Sequence, residues 1–158
     1  MSEPRPATRI PPTPDKPRRF VFVLLDNFTL LSFASAVECL RIANRMAGRD
    51  AYSWRIIGEG GGTMPSSSGA VFTLDGDLDD LLRDDTLMIC GGIDVQAATT
   101  KKLLGWLRRE ARKGLMVGGL CTAAFTLAKA GLLDGKKATI HWENQDSFSE
   151  EFPEVKLT

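Results

Sequence analysis

The sequence contains a single histidine, His141, so any mechanism that needs two imidazoles is excluded, including three-histidine and HExxH zinc sites. Cysteine is scarce as well. Cys39, Cys90 and Cys121 are odd in number and form no CxxC pair, which argues against a disulfide framework and a structural zinc site and for reduced thiols. No apolar run approaches the ~20 residues of a membrane helix, and residues 1–19 lack the apolar middle of a secretory signal. A soluble, cytoplasmic protein is therefore expected, without a membrane partner. Nor is there an excess of charge. The 20 Lys and Arg balance 20 Asp and Glu, so no overall field recruits polyanions to this chain.

What the sequence does have is enough apolar material, 43% of 158 residues, for one core. Residues 1–19 hold six of the eight prolines and a local charge of +3, which reads as a disordered Pro/Arg-rich tail. The folded part is expected to span 20–158. Phe20–Leu25 (FVFVLL) is short, continuous and rich in aromatic and β-branched residues, the pattern of a strand buried on both faces. A helix is predicted over Ala34–Ala47, with Ala36, Cys39, Leu40, Ala43 and Ala47 on its apolar stripe. Strands are predicted at Ser53–Glu59, within GAVFTL, at Thr86–Cys90, Leu115–Leu120 and Ala138–Trp142. Helices are predicted around Leu78–Leu82, over Ala97–Lys113 with Gly114 as its C-cap, over Thr122–Ala130, and near Glu143–Glu150. This alternation predicts an α/β sandwich on a mostly parallel sheet.

In such sheets ligands gather at the carboxyl ends of the strands. Gly119-Leu120-Cys121-Thr122-Ala123 passes from strand to helix with almost no loop, as a nucleophile elbow does. Gly119 and Ala123 are small enough for strand and helix to approach, and the helix N-terminus favours a thiolate at Cys121. Cys121 is thus a nucleophile, a redox sensor, a ligand contact or a small buried side chain. Cys39 reads as core, and Cys90 lies between the two cases. Gly91-Gly92-Ile93 offers backbone N–H groups to an anionic oxygen, and His141 completes a Cys–His pair. Asp26, Glu38 and Glu143 stand open as third members, none singled out by spacing. The glycine run at Gly58–Gly62 precedes no helix, which defeats a dinucleotide reading, and the basic residues between Lys101 and Lys113 read as a solvated helix face. No cofactor or metal is expected.

With FVFVLLDNFTLLSFASAVECLRIAN, MICGGID, GLCTAAFTLAKAGLLDGKKATIHW and FPEV in view, the sequence resembles the ThiJ/PfpI branch of the class I glutamine amidotransferase-like superfamily. More narrowly, it is similar to the amino-terminal domain of GlxA-like AraC-family transcriptional regulators. The resemblance implies a flavodoxin-like three-layer sandwich with Cys121 at the elbow, Gly91 and Gly92 at the oxyanion-type turn, and His141 after the elbow helix. It further implies a ligand site of Gly91, Gly92, Ile93, Cys121, Thr122 and His141. Catalysis, if present, would run through Cys121 and His141. Leu31–Glu38 departs from the regulators' Leu-Asp-x-x-Gly-Pro-x-Glu, placing Ser32 where enzymatic relatives carry a carboxylate on the nucleophile. That departure favours a sensor of a small effector, such as a nitrogen-containing metabolite, over a hydrolase, hydratase or glyoxalase-like enzyme. DNA binding would reside in a C-terminal helix-turn-helix domain not in this chain, which reads as truncated. The exposed sheet surface so created is expected either to leave the domain marginally stable or to mediate homodimerisation.

Overall fold

The computed structural model describes residues 16–158, and the expectation for residues 1–15 lies outside them. Strand β1 (Arg18–Leu24) begins two residues before Phe20, and its odd and even side chains go to opposite faces. Val21 and Val23 enter one apolar cluster, whereas Phe22 and Leu24 enter another. It has parallel partners on both sides: β2 (Tyr52–Ile57), with Phe20 opposite Trp54, and β5 (Thr86–Cys90), with Leu24 opposite Cys90. β6 (Met116–Leu120) pairs with the far side of β5, so the main sheet is wholly parallel in the order β2-β1-β5-β6. Antiparallel pairing is found in a small hairpin of β3 (Thr63–Pro65) and β4 (Val71–Thr73) and in an isolated bridge between Phe28 and Gly92.

One face of the sheet is covered by α1 (Leu30–Ala47) and the hairpin, through Phe28, Phe33, Met64 and Phe72. Phe33 meets Phe22, Phe28 and Phe72 edge-on at 5.5–5.7 Å between ring centres, the arrangement favoured by aromatic quadrupoles. The other face is covered by α3 (Lys101–Ala111), α4 (Ala123–Lys129) and α5 (Gln145–Glu151), through Leu103, Leu107, Leu127 and Phe148. This is the three-layer, flavodoxin-like sandwich.

Several elements differ from the sequence reading. Leu78–Leu82 forms no helix. Here side chains take the segment's backbone donors: Asp77 accepts from Leu78 N–H, Glu110 from Leu81 N–H, and Asp85 from Leu82 N–H. The helix over Ala97–Lys113 is two helices, α2 (Val95–Ala98) and α3, parted because Thr100 adopts extended backbone and caps α3 by accepting from Leu103 N–H at 3.0 Å. Gly114, at φ +83°, does end this segment. Ala138–Trp142 adds no strand to the main sheet. Only β7 (Lys137–Ala138) is extended, pairing with β8 (Lys156–Leu157) in a separate two-stranded ribbon, and Trp142–Asn144 is a 3₁₀ turn. Cys39, expected in the core, is exposed, because α1 buries the face of Phe33, Ala36, Val37 and Leu40. Among the described residues no helix is long and apolar enough to cross a membrane.

Two buried carboxylates fasten the Asp-rich loop. Asp85 accepts two bonds from Arg19, at 2.8 and 2.7 Å, and Glu110, fully buried, accepts from Lys113 at 2.6 Å and from Leu81 N–H at 2.9 Å. Charge-assisted bonds of this kind stabilise more than neutral ones.

Candidate functional site

The site is built at the carboxyl ends of β1, β5 and β6. Cys121 joins β6 to α4 with φ +57°, a left-handed conformation unfavourable to a residue bearing a Cβ. The chain can turn there because Gly119 lets the helix in: a Cβ at Gly119 would lie 3.2 Å from that of Ala123 and 3.0 Å from Leu127 Cδ1. At the end of β5, Gly92 is pressed against the loop after β1. Gly91 O accepts from Thr29 N–H at 2.9 Å, and Asn27 O accepts from Ile93 N–H at 3.2 Å. The two loops thereby hold Thr29 Oγ1 3.4 Å from Cys121 Sγ.

A cleft of about 640 Å³ opens beside this junction. Of the sequence-derived site residues, Gly92, Ile93, Cys121, Thr122 and His141 line it, and Gly91 is buried behind. Their chemistry is not that of an assembled dyad. No hydrogen bond or ion pair joins His141 to Cys121 among the described residues. His141 instead stacks on Trp142 at 5.8 Å and faces Glu143 at 3.8 Å, since it lies before a 3₁₀ turn and not at a strand end of the main sheet. Thr122 donates its hydroxyl to Gly92 O at 2.7 Å. In the glycine turn, the amide of Gly91 is engaged by Leu120 O and that of Ile93 by Asn27 O, leaving Gly92 N–H as the turn's remaining donor among the described residues. Ser32 donates to Thr29 O and does not reach the sulfur, and Glu38 is paired with Arg41 on the outer face of α1.

Glu143, one of the three carboxylates left open in the sequence, lines the cleft, and residues passed over in the sequence complete it. Val95, Phe125, Ile140 and Phe148 supply apolar wall, and Asp94 and Glu151 bring the carboxylates to three, with no lysine or arginine in the lining. Glu151 pairs with Lys129 at 3.1 Å, whereas Asp94, left-handed at φ +53°, has no ion-pair partner among the described residues. Thr29 was legible in principle as a residue just past a strand end. Phe148 was not, because it arrives from a helix far along the chain.

The three thiols are now distinct. Cys90, the last residue of β5, is buried, and burial pushes its thiol well above the ordinary range, while Cys39 is exposed. Alkylation of the native protein is therefore expected to label Cys39 first, Cys121 more slowly and Cys90 only on unfolding. Peptide mass spectrometry over a time course checks this, and early labelling of Cys90 would contradict the packing.

A doubly wound parallel sheet with a cysteine in the left-handed conformation at a strand-to-helix elbow defines a flavodoxin-like domain of the nucleophile-elbow class. The chain belongs to the DJ-1/PfpI family, whose model matches residues 18–154. It is 40% identical over 152 residues to the HTH-type transcriptional regulator GbdR of Pseudomonas aeruginosa, covering 96% of this chain and 41% of the relative. It is 41% identical over 139 residues to the HTH-type transcriptional regulator GlxA of Rhizobium meliloti, covering 87% of this chain and 43% of that protein. The crystal structure of an AraC family transcriptional regulator from Pseudomonas putida superposes with a TM-score of 0.79 at 29% identity, over 90% of this chain and 76% of that one. The chain thus spans about two fifths of the length of the curated regulators it matches.

Proposed function

We propose that this chain is the effector-sensing domain of an AraC-type transcriptional regulator, and that its cleft holds a small cationic, nitrogen-bearing metabolite without covalent chemistry. The sensing role is carried by the likeness to HTH-type transcriptional regulators across 96% of the chain. The ligand class is carried by the lining: an unpaired carboxylate at Asp94, a second at Glu143, apolar wall around Phe125 and Phe148, and no basic side chain except His141. The three carboxylates of the lining disfavour an anion; a cation with a short apolar body gains ion pairing and burial together. Thr29 beside Cys121, in place of a general base, supports binding over nucleophilic catalysis. DNA contact belongs to the regulator's helix-turn-helix portion.

Thermal-shift screening of amino-acid-derived ammonium and guanidinium compounds, with matched carboxylic acids as controls, tests this reading. Cations are expected to raise Tm, and Asp94→Asn is expected to weaken them about tenfold, the loss of roughly one charge-assisted contact. Stabilisation by the acids alone would overturn the ligand class. Turnover of a bound compound, abolished by Cys121→Ala, would replace the sensor reading with an enzymatic one.

A further inference from the structure

The outward face of α3 is basic from end to end. Lys101, Lys102, Arg108, Arg109 and Arg112 are exposed, Gly105 stands among them, and no acidic residue of the helix shares the face. At ~100° per residue these six positions fill a sector of roughly 120°, opposite the buried Leu103, Leu107 and Glu110. From Lys101 to Arg112 at the C-cap the strip is about 16 Å long, at a rise of ~1.5 Å per residue. The chain is neutral overall, so this charge is local.

The fold makes little use of it. Arg109 bonds to Glu110 at 3.2 Å and to Asp80 at 3.4 Å, but Lys101, Lys102 and Arg112 have no ion-pair partner among the described residues. Arg108 donates Nε and Nη2 to the carbonyls of Ala130 and Lys129, at 3.2 and 3.0 Å, which orients its guanidinium without neutralising it. Lys101 and Lys102 even oppose the helix. They occupy a first turn that holds no acidic residue, where a cation faces the positive end of the helix dipole. Gly105 weakens the helix interior as well, yet nothing lies within 4 Å of its would-be Cβ, so no packing requires it and the backbone is left bare between the cations. Local rules broken without structural gain mark a functional constraint.

We infer that this strip contacts the phosphate backbone of duplex DNA, without base preference, beside the site that the helix-turn-helix portion reads. The inference rests on the regulator reading, which supplies the polyanion; charge complementarity supplies the fit. Lys101, Arg108 and Arg112 lie within a sector of roughly 40°, and each neutralises one phosphate and releases its counterions. Contacts of this kind orient a protein on the duplex and carry no sequence information. The sequence reading left this face to solvent; what the structure adds is that its cations lack partners within the fold.

Fluorescence anisotropy of a short labelled duplex of arbitrary sequence, titrated with the full chain over a salt series and without effector, tests the inference. Weak binding is expected, equal for unrelated sequences, with log K falling against log salt at a slope of about −2.7, three phosphates at roughly 0.9 each. Arg112→Gln should weaken all duplexes alike and shrink the slope by about one. Lys101→Glu should weaken binding at least about tenfold while its Tm holds or rises, because it puts an anion at the helix N-terminus; that separates binding from folding. Arg45→Glu, a charge reversal on α1, should leave binding unchanged. No binding at low salt, or binding indifferent to both strip variants, would overturn the inference. So would capture by anionic phospholipid vesicles with none by duplex, which would assign the strip to a membrane surface. Because the titration contains no effector, its failure leaves the thermal-shift result for the cleft, and with it the sensing reading, standing.

Discussion

Gly92→Ala is expected to destabilise the domain by about 3–5 kcal/mol, lowering Tm by roughly 10 °C in a chain of this size. A Cβ at this position would stand 2.1 Å from Asn27 O, 2.7 Å from Thr29 N and 2.8 Å from Phe28 C. All three are backbone atoms, so no rotamer change relieves the clash. The loops after β1 and β5 would have to separate, breaking the Thr29 to Gly91 and Ile93 to Asn27 bonds and carrying Thr29 away from Cys121. Gly105→Ala is the matched control. Gly105 lies inside α3 with nothing within 4 Å of its would-be Cβ, and removing a helix-interior glycine should add up to about 1 kcal/mol. Urea titrations of both variants check the pair. A Gly92→Ala loss no larger than 1 kcal/mol would mean the loops are not pressed together.

Glu110→Ala is expected to cost about 2–4 kcal/mol, because it leaves Leu81 N–H without its acceptor and Lys113 without its counter-charge, while Arg109 keeps only Asp80. The same residue makes the fold acid-sensitive. Burial by itself would push its carboxyl up, but bonds from Lys113, Leu81 N–H and Arg109 outweigh this and hold it below the ordinary carboxylate range. Asp85 is lowered in the same way: burial is opposed by Arg19 and Leu82 N–H, which together prevail. A folded-state pKa below the unfolded one means the unfolded chain takes up protons first. The stabilisation is therefore complete above the unfolded carboxylate pKa of about 4, and fades as pH falls through the lower folded values. Glu110→Gln, which keeps an acceptor for Leu81 N–H, should cost less than Ala and flatten the acid limb. Melting curves between neutral and acid pH measure this, and an unchanged acid limb would remove Glu110 from the account.

Most of the sheet was legible because its strands carry their own signal: FVFVLL and TLMIC are apolar without interruption, and both proved to be paired on two sides. The elbow at Cys121 was legible from the small residues on either side of it. The failures share a cause in side chains that act on backbone at a distance. Leu78–Leu82 has the spacing of a helix, but Asp77, Asp85 and Glu110 claim its amides, and Glu110 lies 29 residues away from Leu81. Thr100 splits a continuous helical pattern by capping. His141 lies within a segment, ATIHW, that is strand-like in composition but is extended only at its first residue, where it pairs with β8 and not with the main sheet. Of the candidate site, the residues of β5 and β6 were found together, whereas Thr29 and the carboxylate lining depend on how loops meet.

β1 contributes Val21 and Val23 to the layer under α3 and α4, and Phe22 and Leu24 to the layer under α1. Neither layer can be lost without stripping one side of the same strand. The two halves of the sandwich are thus tied into one cooperative unit despite having separate interiors. In native-state hydrogen exchange, amides of β1 and β5 should open only with global unfolding, while those of the β7–β8 ribbon exchange through small local openings. Protection would then fall outward from the strand that both interiors share.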